Sequence, residues 1–238
     1  MIYRPIKNDD SIKDIFHLIY SGDPVIYKDL FGDFESGLKV YEKIWNNAES
    51  IFFRDYYRVA VNEEGRIIAI CTFYNKYLRW NPDILRSAFI MANVKIPESF
   101  YSASQYFLKT YNYSHLPVSA CNVCVHEDYR GQGVGSFIIK ELLNEVGNVD
   151  IQLTVLKDNI PAIKLYEKFG FKIIEEFNDY GGYQQEEVIS YQMYRMVSWI
   201  VTNLFQTISP ICVIRCISAK LVIQYTKMIN HIKVIERI

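Results

Sequence analysis

Glycine is scarce in this chain, at 11 of 238 residues, and so are proline (7), cysteine (5), histidine (4) and tryptophan (3). Five cysteines are too few to staple a chain of this length, and no signal-peptide pattern opens it, so a reducing, cytoplasmic setting is expected. Net charge is nearly missing: 26 basic against 27 acidic residues leave −1, which gives the chain as a whole no electrostatic footprint for nucleic acid. No cysteine pair is matched by a second pair or by a nearby histidine pair, so no metal site is expected. Cys121 and Cys124 stand an odd number of positions apart on an expected strand, which would send them to opposite faces as small buried residues. What the chain does have is apolar bulk. Half of it is hydrophobic and 15% is aromatic, enough to bury the core of one domain with or without an appendage, and too much for intrinsic disorder.

The near-zero charge conceals two segments. Residues 198–238 carry five basic residues against Glu236 alone, a charge of +4, with ten isoleucines and no glycine, while residues 1–197 sum to −5. In that tail Ile217, Leu221, Tyr225, Met228, Ile232 and Ile235 recur at spacings of four and three, which predicts an amphipathic helix. Residues 196–214 hold no charge over 19 positions, a length that permits a membrane span, but Ser198, Thr202, Asn203, Gln206 and Pro210 interrupt it. A span is therefore disfavoured. The remaining readings of the extension are docking on the body, pairing in a homodimer, or lying at a membrane surface.

Along the body, residues 2–6 read as a strand, and Ser11 caps a helix through Tyr20 that Ser21, Gly22, Asp23 and Pro24 break. A helix is predicted from Phe34 to Trp45, and a hairpin over 57–62 and 66–74 around the turn Asn62-Glu63-Glu64-Gly65. The aromatic-rich stretch 80–116 reads as a single helix, Glu98 to Thr110, with most of its rings in the core. After it come strand 117–125, helix 134–147, strand 150–156, helix 160–169 and the strands 171–177 and 187–196. That alternation implies an α/β sheet with an antiparallel final pair.

Three of the few glycines fall within five positions, in Val123-Cys124-Val125-His126-Glu127-Asp128-Tyr129-Arg130-Gly131-Gln132-Gly133-Val134-Gly135-Ser136. A strand runs into this loop and an amphipathic helix leaves it, with Ile138, Leu142 and Val146 on one face. Glycines let successive N–H groups turn into one concavity, and the helix start adds its own unpaired N–H groups, so the segment suits a pyrophosphate. A dinucleotide fingerprint would need its third glycine at Ser136, a P-loop would need Lys-Ser/Thr after Gly135, and a plain glycine turn needs no ligand at all. Arg130-x-x-Gly133-x-Gly135 instead resembles the coenzyme A pyrophosphate loop of the GNAT superfamily of N-acetyltransferases. A second segment strengthens the resemblance: Asn159-x-x-Ala162-x-x-Leu165-Tyr166-x-x-x-Gly170-Phe171 is similar to the helix that closes over coenzyme A in that family.

The resemblance covers residues 1–197. It implies a GNAT-like α/β fold with a twisted, mostly antiparallel sheet and a splayed parallel pair, 117–125 and 150–156; the helical extension 198–238 is read from its own periodicity and is not explained by the resemblance. It implies acetyl-coenzyme A as co-substrate and an amine as acceptor, joined by direct attack in a ternary complex. Val123, Cys124 and Val125 would supply backbone to the pantetheine. Arg130, Gly131, Gln132, Gly133, Val134, Gly135 and Ser136 would form the pyrophosphate loop, and Asn159 would meet the pantetheine or cap its helix. Tyr166 matches the family's usual general acid, because a phenol stays protonated at neutral pH and can donate to the departing thiolate. A packing aromatic is the plainer reading of Tyr166, and His126 is read as a loop residue. The general base is not identifiable, because strand 117–125 carries no acid. The resemblance places Asp23, Asp29, Asp33 and Glu35 beside the acceptor side, where acids would attract a cationic amine; a solvated acidic face is the plainer reading. A longer acyl donor, or a non-catalytic acyl-coenzyme A sensor, are the rival functions.

Overall fold

The computed structural model describes residues 1–75, 77–112, 116–183 and 188–197. Among these, seven strands form one mixed sheet: β1 (Ile2–Pro5), β2 (Tyr57–Val61), β3 (Ile67–Asn75), β4 (Val118–Val125), β5 (Ile151–Leu156), β6 (Lys172–Asp179) and β7 (Val188–Arg195). Their spatial order is β1-β2-β3-β4-β5-β7-β6. Every neighbouring pair is antiparallel except β4 and β5. The α/β sheet and its antiparallel final pair are as the sequence pattern predicts, and the parallel pair is as the resemblance implies. The expected helical extension lies outside the described residues.

Seven α-helices flank the sheet among the described residues: α1 (Ile12–Gly22), α2 (Pro24–Phe31), α3 (Phe34–Ile44), α4 (Pro82–Ala92), α5 (Phe100–Asn112), α6 (Val134–Val146) and α7 (Ile160–Lys168). Two of them depart from expectation, and for the same reason. Pro24 and Pro82 open helices where the sequence reading placed a break or an irregular stretch. Proline fits the first turn, where its missing N–H would lack a helical acceptor anyway. Asp23 caps α2 by accepting the Ile26 N–H at 3.2 Å, and Asn81 caps α4 by accepting the Asp83 N–H at 3.0 Å.

The sheet separates two cores. One face packs against α1–α5 through an aromatic cluster that includes Phe16, Phe31, Tyr41, Phe52, Trp80 and Phe107. Ring pairs such as Phe16–Tyr41 (4.8 Å between centroids) and Trp80–Phe107 (4.9 Å) account for much of the 15% aromatic content. The other face packs against α6 and α7 through smaller aliphatics, including Ile138, Ile139, Leu142 and Ile163.

Two irregularities shape the middle of the sheet. β4 and β5 pair only at Val118–Ile151 and Ser119–Gln152, and beyond those positions the strands no longer pair. On its other edge β4 carries one extra residue against β3, since Ile70 faces Cys124 while Thr72 faces Cys121. The bulge includes Asn122 at φ 48°, a left-handed conformation that asparagine tolerates better than other non-glycine residues. It also corrects the reading of the two cysteines. With one residue inserted, Cys121 and Cys124 stand opposite two same-face residues of β3 and do not point to opposite faces.

Candidate active site

A cavity of about 230 Å³ lies where β4 and β5 part. Its walls draw on both cores: Ile26, Tyr27 and Phe107 from one, and Leu153, Val155 and Tyr166 from the other. A gap between two strands of one sheet explains this, because it opens toward the helices on either face. The bulge is fastened to the helical side. The Tyr27 hydroxyl donates to Asn122 Oδ1 at 2.7 Å, and Asn122 Nδ2 donates to Thr72 Oγ1 at 3.4 Å. Thr72 in turn donates to the Cys121 carbonyl at 3.1 Å. The end of α1 is pressed onto the same strand: a Cβ on Gly22 would collide with Cys124 Sγ, so only glycine permits that approach.

The end of β4 prepares the glycine loop. The His126 N–H donates to the Ile68 carbonyl of β3 at 2.9 Å, so alternation turns the N–H and C=O of Val125 away from β3 and toward the parting strands. Arg130 Nε donates to that Val125 carbonyl at 3.1 Å, which braces the loop against the strand. Gly131 and Gly133 have φ of 74° and 83°, and a Cβ at either would meet nothing. Backbone angle, and not space, is what calls for glycine there. Gly133 is the N-cap of α6 and contributes no side chain to it; the Phe137 N–H is the first to close on the Gly133 carbonyl. The N–H groups of Val134, Gly135 and Ser136 therefore have no helical acceptor, and they sit at the positive end of a 13-residue helix.

The other predicted residues are placed as follows. Val123 and Cys124 line the cavity, and burial pushes the Cys124 thiol up to about 12. Gln132 folds back to donate to the Asp128 carbonyl at 2.8 Å, and the Val134 side chain is buried in the core, so both would meet a ligand through backbone alone. Asn159 lines the cavity and caps α7, accepting the Ala162 N–H at 3.3 Å. Tyr166, on α7, also borders the cavity. It is only 7% exposed, its ring meets Phe171 edge-on at 5.9 Å, and burial pushes its phenol well above the usual range. His126 does not line the cavity; its Nε2 sits 2.9 Å from Arg66 Nη2.

The acidic residues do not form one solvated face. Asp29 Oδ2 accepts from the Tyr180 hydroxyl at 2.8 Å and from the Tyr183 N–H at 2.7 Å, tying α2 to the segment after β6. Asp33 caps α3, and Glu35 makes an exposed pair with Lys13 at 3.8 Å. Asp23 lines the cavity, and burial first, then the nearby negative charge of Asp179, raises its pKa above the usual carboxylate range despite the cap hydrogen bonds. Asp179 also lines the cavity and was not picked out by sequence reasoning. It accepts from the Tyr180 N–H at 2.7 Å and from the Ser190 hydroxyl. Of the aromatic stretch, Tyr106 and Phe107 reach the cavity, while Phe89 and Phe100 are core. Among the described residues no three metal-binding side chains gather, and no helix is long and apolar enough to cross a membrane.

Comparison with known proteins agrees with this geometry. Residues 100–173 match the family model described as an acetyltransferase (GNAT) domain. The L-amino acid N-acetyltransferase AaaT of Escherichia coli (strain K12) is 37% identical over 83 residues, 33% of this chain and 51% of that protein. The chain thus aligns with about half the length of that curated relative. Among solved structures, an acetyltransferase gives a TM-score of 0.58 at 18% identity, with 83% of this chain and all of that one covered. An N-acetyltransferase from Staphylococcus aureus Mu50 gives 0.57 at 18% identity, over 82% of this chain and all of that one. At such identity the likeness shows the fold. The segment that matches the family model holds the glycine loop and Tyr166 but neither Asp23 nor Asp179.

Proposed function

We propose that this chain, whose residues 100–173 match a GNAT acetyltransferase domain, transfers an acetyl group from acetyl-coenzyme A to an amine within one ternary complex. The observation that carries this reading is a cavity between two splayed parallel strands that is bordered by a buried tyrosine, with a glycine loop and its unpartnered helix-start amides following directly on from the β4 edge of that cavity. The residues fit the co-substrate. Backbone N–H groups of residues 131–136 would receive a pyrophosphate, and the free edge of β4 at Val123 and Val125 would pair with amides of an extended arm. When bound, acetyl-coenzyme A supplies the acetyl group as an activated thioester. A β4 backbone N–H beside the reacting carbonyl would stabilise the charge that develops on its oxygen.

Tyr166 then holds a proton for the departing sulfur. Its raised pKa keeps the phenol protonated across the physiological range, so the donor is always loaded. As the C–N bond forms and the C–S bond breaks, a protonated amine gives up two protons: one ends on the sulfur and the other leaves for solvent. A phenol bordering the cavity at the family's acid position favours transfer over a module that only binds. The test is thiol release from acetyl-coenzyme A over a panel of amines, with an acceptor-free control. Acceptor-dependent release supports the reading, and release no faster than the control with every amine contradicts it.

A further inference from the structure

The cavity shows more about the acceptor than its family does. Its lining includes two carboxylates, Asp23 and Asp179, and among the described residues no lysine, arginine or histidine. A free amino acid, or any acceptor carrying a carboxylate, needs a cation or a free helix N-terminus to receive that charge. The nearest helix start is α2, and Asp23 itself already occupies it, accepting the Ile26 N–H at 3.2 Å. The start of α7 is likewise taken by Asn159. An incoming carboxylate would therefore meet two like charges, with no cation among the described lining residues to offset them. An ammonium would meet two opposite ones, with Tyr27 and Tyr106 beside them as aromatic walls.

The other titratable groups around Asp23 carry no competing charge. Tyr27 on its own helix, Tyr180 after β6 and Cys124 on β4 all interact with it, and burial raises the pKa of each. Tyr74 on β3, Tyr106 on α5, Cys121 on β4 and Tyr166 on α7 complete the titratable lining.

We infer that the acceptor is a cationic amine without a carboxylate, received between Asp23 and Asp179, and that Asp23 takes a proton from its ammonium group. This rests on the acyl-transfer reading above. The transfer leaves a neutral amine, whose lone pair is free to attack, and a protonated Asp23 that releases its proton to solvent after turnover. A carboxylate whose pKa is raised by burial and by Asp179 is a stronger base than an exposed one, which suits the step.

The test uses matched pairs that differ only by a carboxylate: cadaverine against lysine, and phenethylamine against phenylalanine. Each is titrated calorimetrically into the full chain saturated with coenzyme A. The expected result is that each amine binds about tenfold or more tighter than its parent amino acid. In the Asp23→Asn/Asp179→Asn double variant that ratio should fall to within about twofold. Asparagine keeps the capping oxygen at position 23, so α2 stays capped. The single variant Asp179→Asn gives a second readout: with its negative neighbour neutralised, Asp23 should titrate lower, and the acid limb of kcat/KM should move to lower pH. Parent amino acids binding as well as or better than the amines, a preference that survives the double variant, or an unmoved acid limb would each overturn the inference. Failure of coenzyme A itself to bind, read in a separate titration, would instead remove the acyl-transfer reading on which it stands.

Discussion

One wall of the candidate site, from β4 and α7 at the cavity to the glycine loop and the start of α6 beyond it, presents mostly backbone: the free edge of a strand, amides of residues 131–136, and a single phenol. The opposite wall, where α1 meets α2 and β6 ends, presents side chains: Asp23, Asp179 and Tyr27. A backbone wall reads the features that every coenzyme A molecule shares, and it tolerates change wherever φ and packing are kept. A side-chain wall reads what is particular to one acceptor, and one charge can change its choice. The two walls should therefore fail in different ways.

The largest effect is expected at the one side chain the backbone wall depends on. Tyr166→Phe should lower kcat by roughly a hundredfold or more, the usual contribution of a positioned acid, with coenzyme A affinity within about twofold. Equal turnover across pH would return Tyr166 to a packing role. Gly133→Val should act in the opposite sense. A β-branched residue at φ 83° is strained, and at about 1–2 kcal/mol or more it should weaken coenzyme A binding roughly tenfold while kcat at saturation stays near wild type. Calorimetry and saturation kinetics separate the two variants. If Gly133→Val spares binding, the wall does not work through its backbone.

How far the sequence discloses the two walls follows the same division. Gly131, Gly133 and Gly135 lie close together in the chain and are constrained locally, so their spacing alone points to a phosphate-sized ligand. Asn159 and Tyr166 share one helix and are readable for that reason. Asp23 and Asp179 are far apart in the chain, and only the placement of β6 at the sheet edge beside β7 brings Asp179 to the cavity where Asp23 lies. Asp23 stood out only as one of four acids near the acceptor side, and Asp179 looks ordinary in isolation, as a polar strand end. The extra residue in β4 was invisible for a different reason: alternation is a fair guide to a strand until Asn122 adopts a left-handed conformation, and Cys121 and Cys124 then change their relation. Helix α2 was missed because its opening Pro24 was read as a break and not as a first-turn residue, and α4 because the stretch 80–116 was read as holding one helix, Glu98 to Thr110.

A control at the far end of α6 from the glycine loop should give the smallest effect. Glu145 on α6 accepts from Arg58 Nη2 at 2.5 Å and from the Tyr3 hydroxyl at 2.6 Å, joining helix to sheet. Burial pushes its carboxyl up, but these hydrogen bonds and the charge of Arg58 outweigh it and hold the pKa below the usual range. A depressed folded-state pKa adds stability that is present above the unfolded-state value and is lost as pH falls through the folded one. Glu145→Gln should thus cost about 1 kcal/mol at neutral pH and less in acid, with coenzyme A affinity and turnover unchanged. Chemical denaturation at two pH values checks it. A variant that also lost coenzyme A binding would mean that the far end of α6 is coupled to the glycine loop at its start.

The most direct test of the central claim is a calorimetric titration of coenzyme A into the unaltered chain. The account predicts saturable binding at one site per chain, weakened by Gly133→Val and nearly unchanged by Tyr166→Phe. No detectable binding to the folded protein would contradict it.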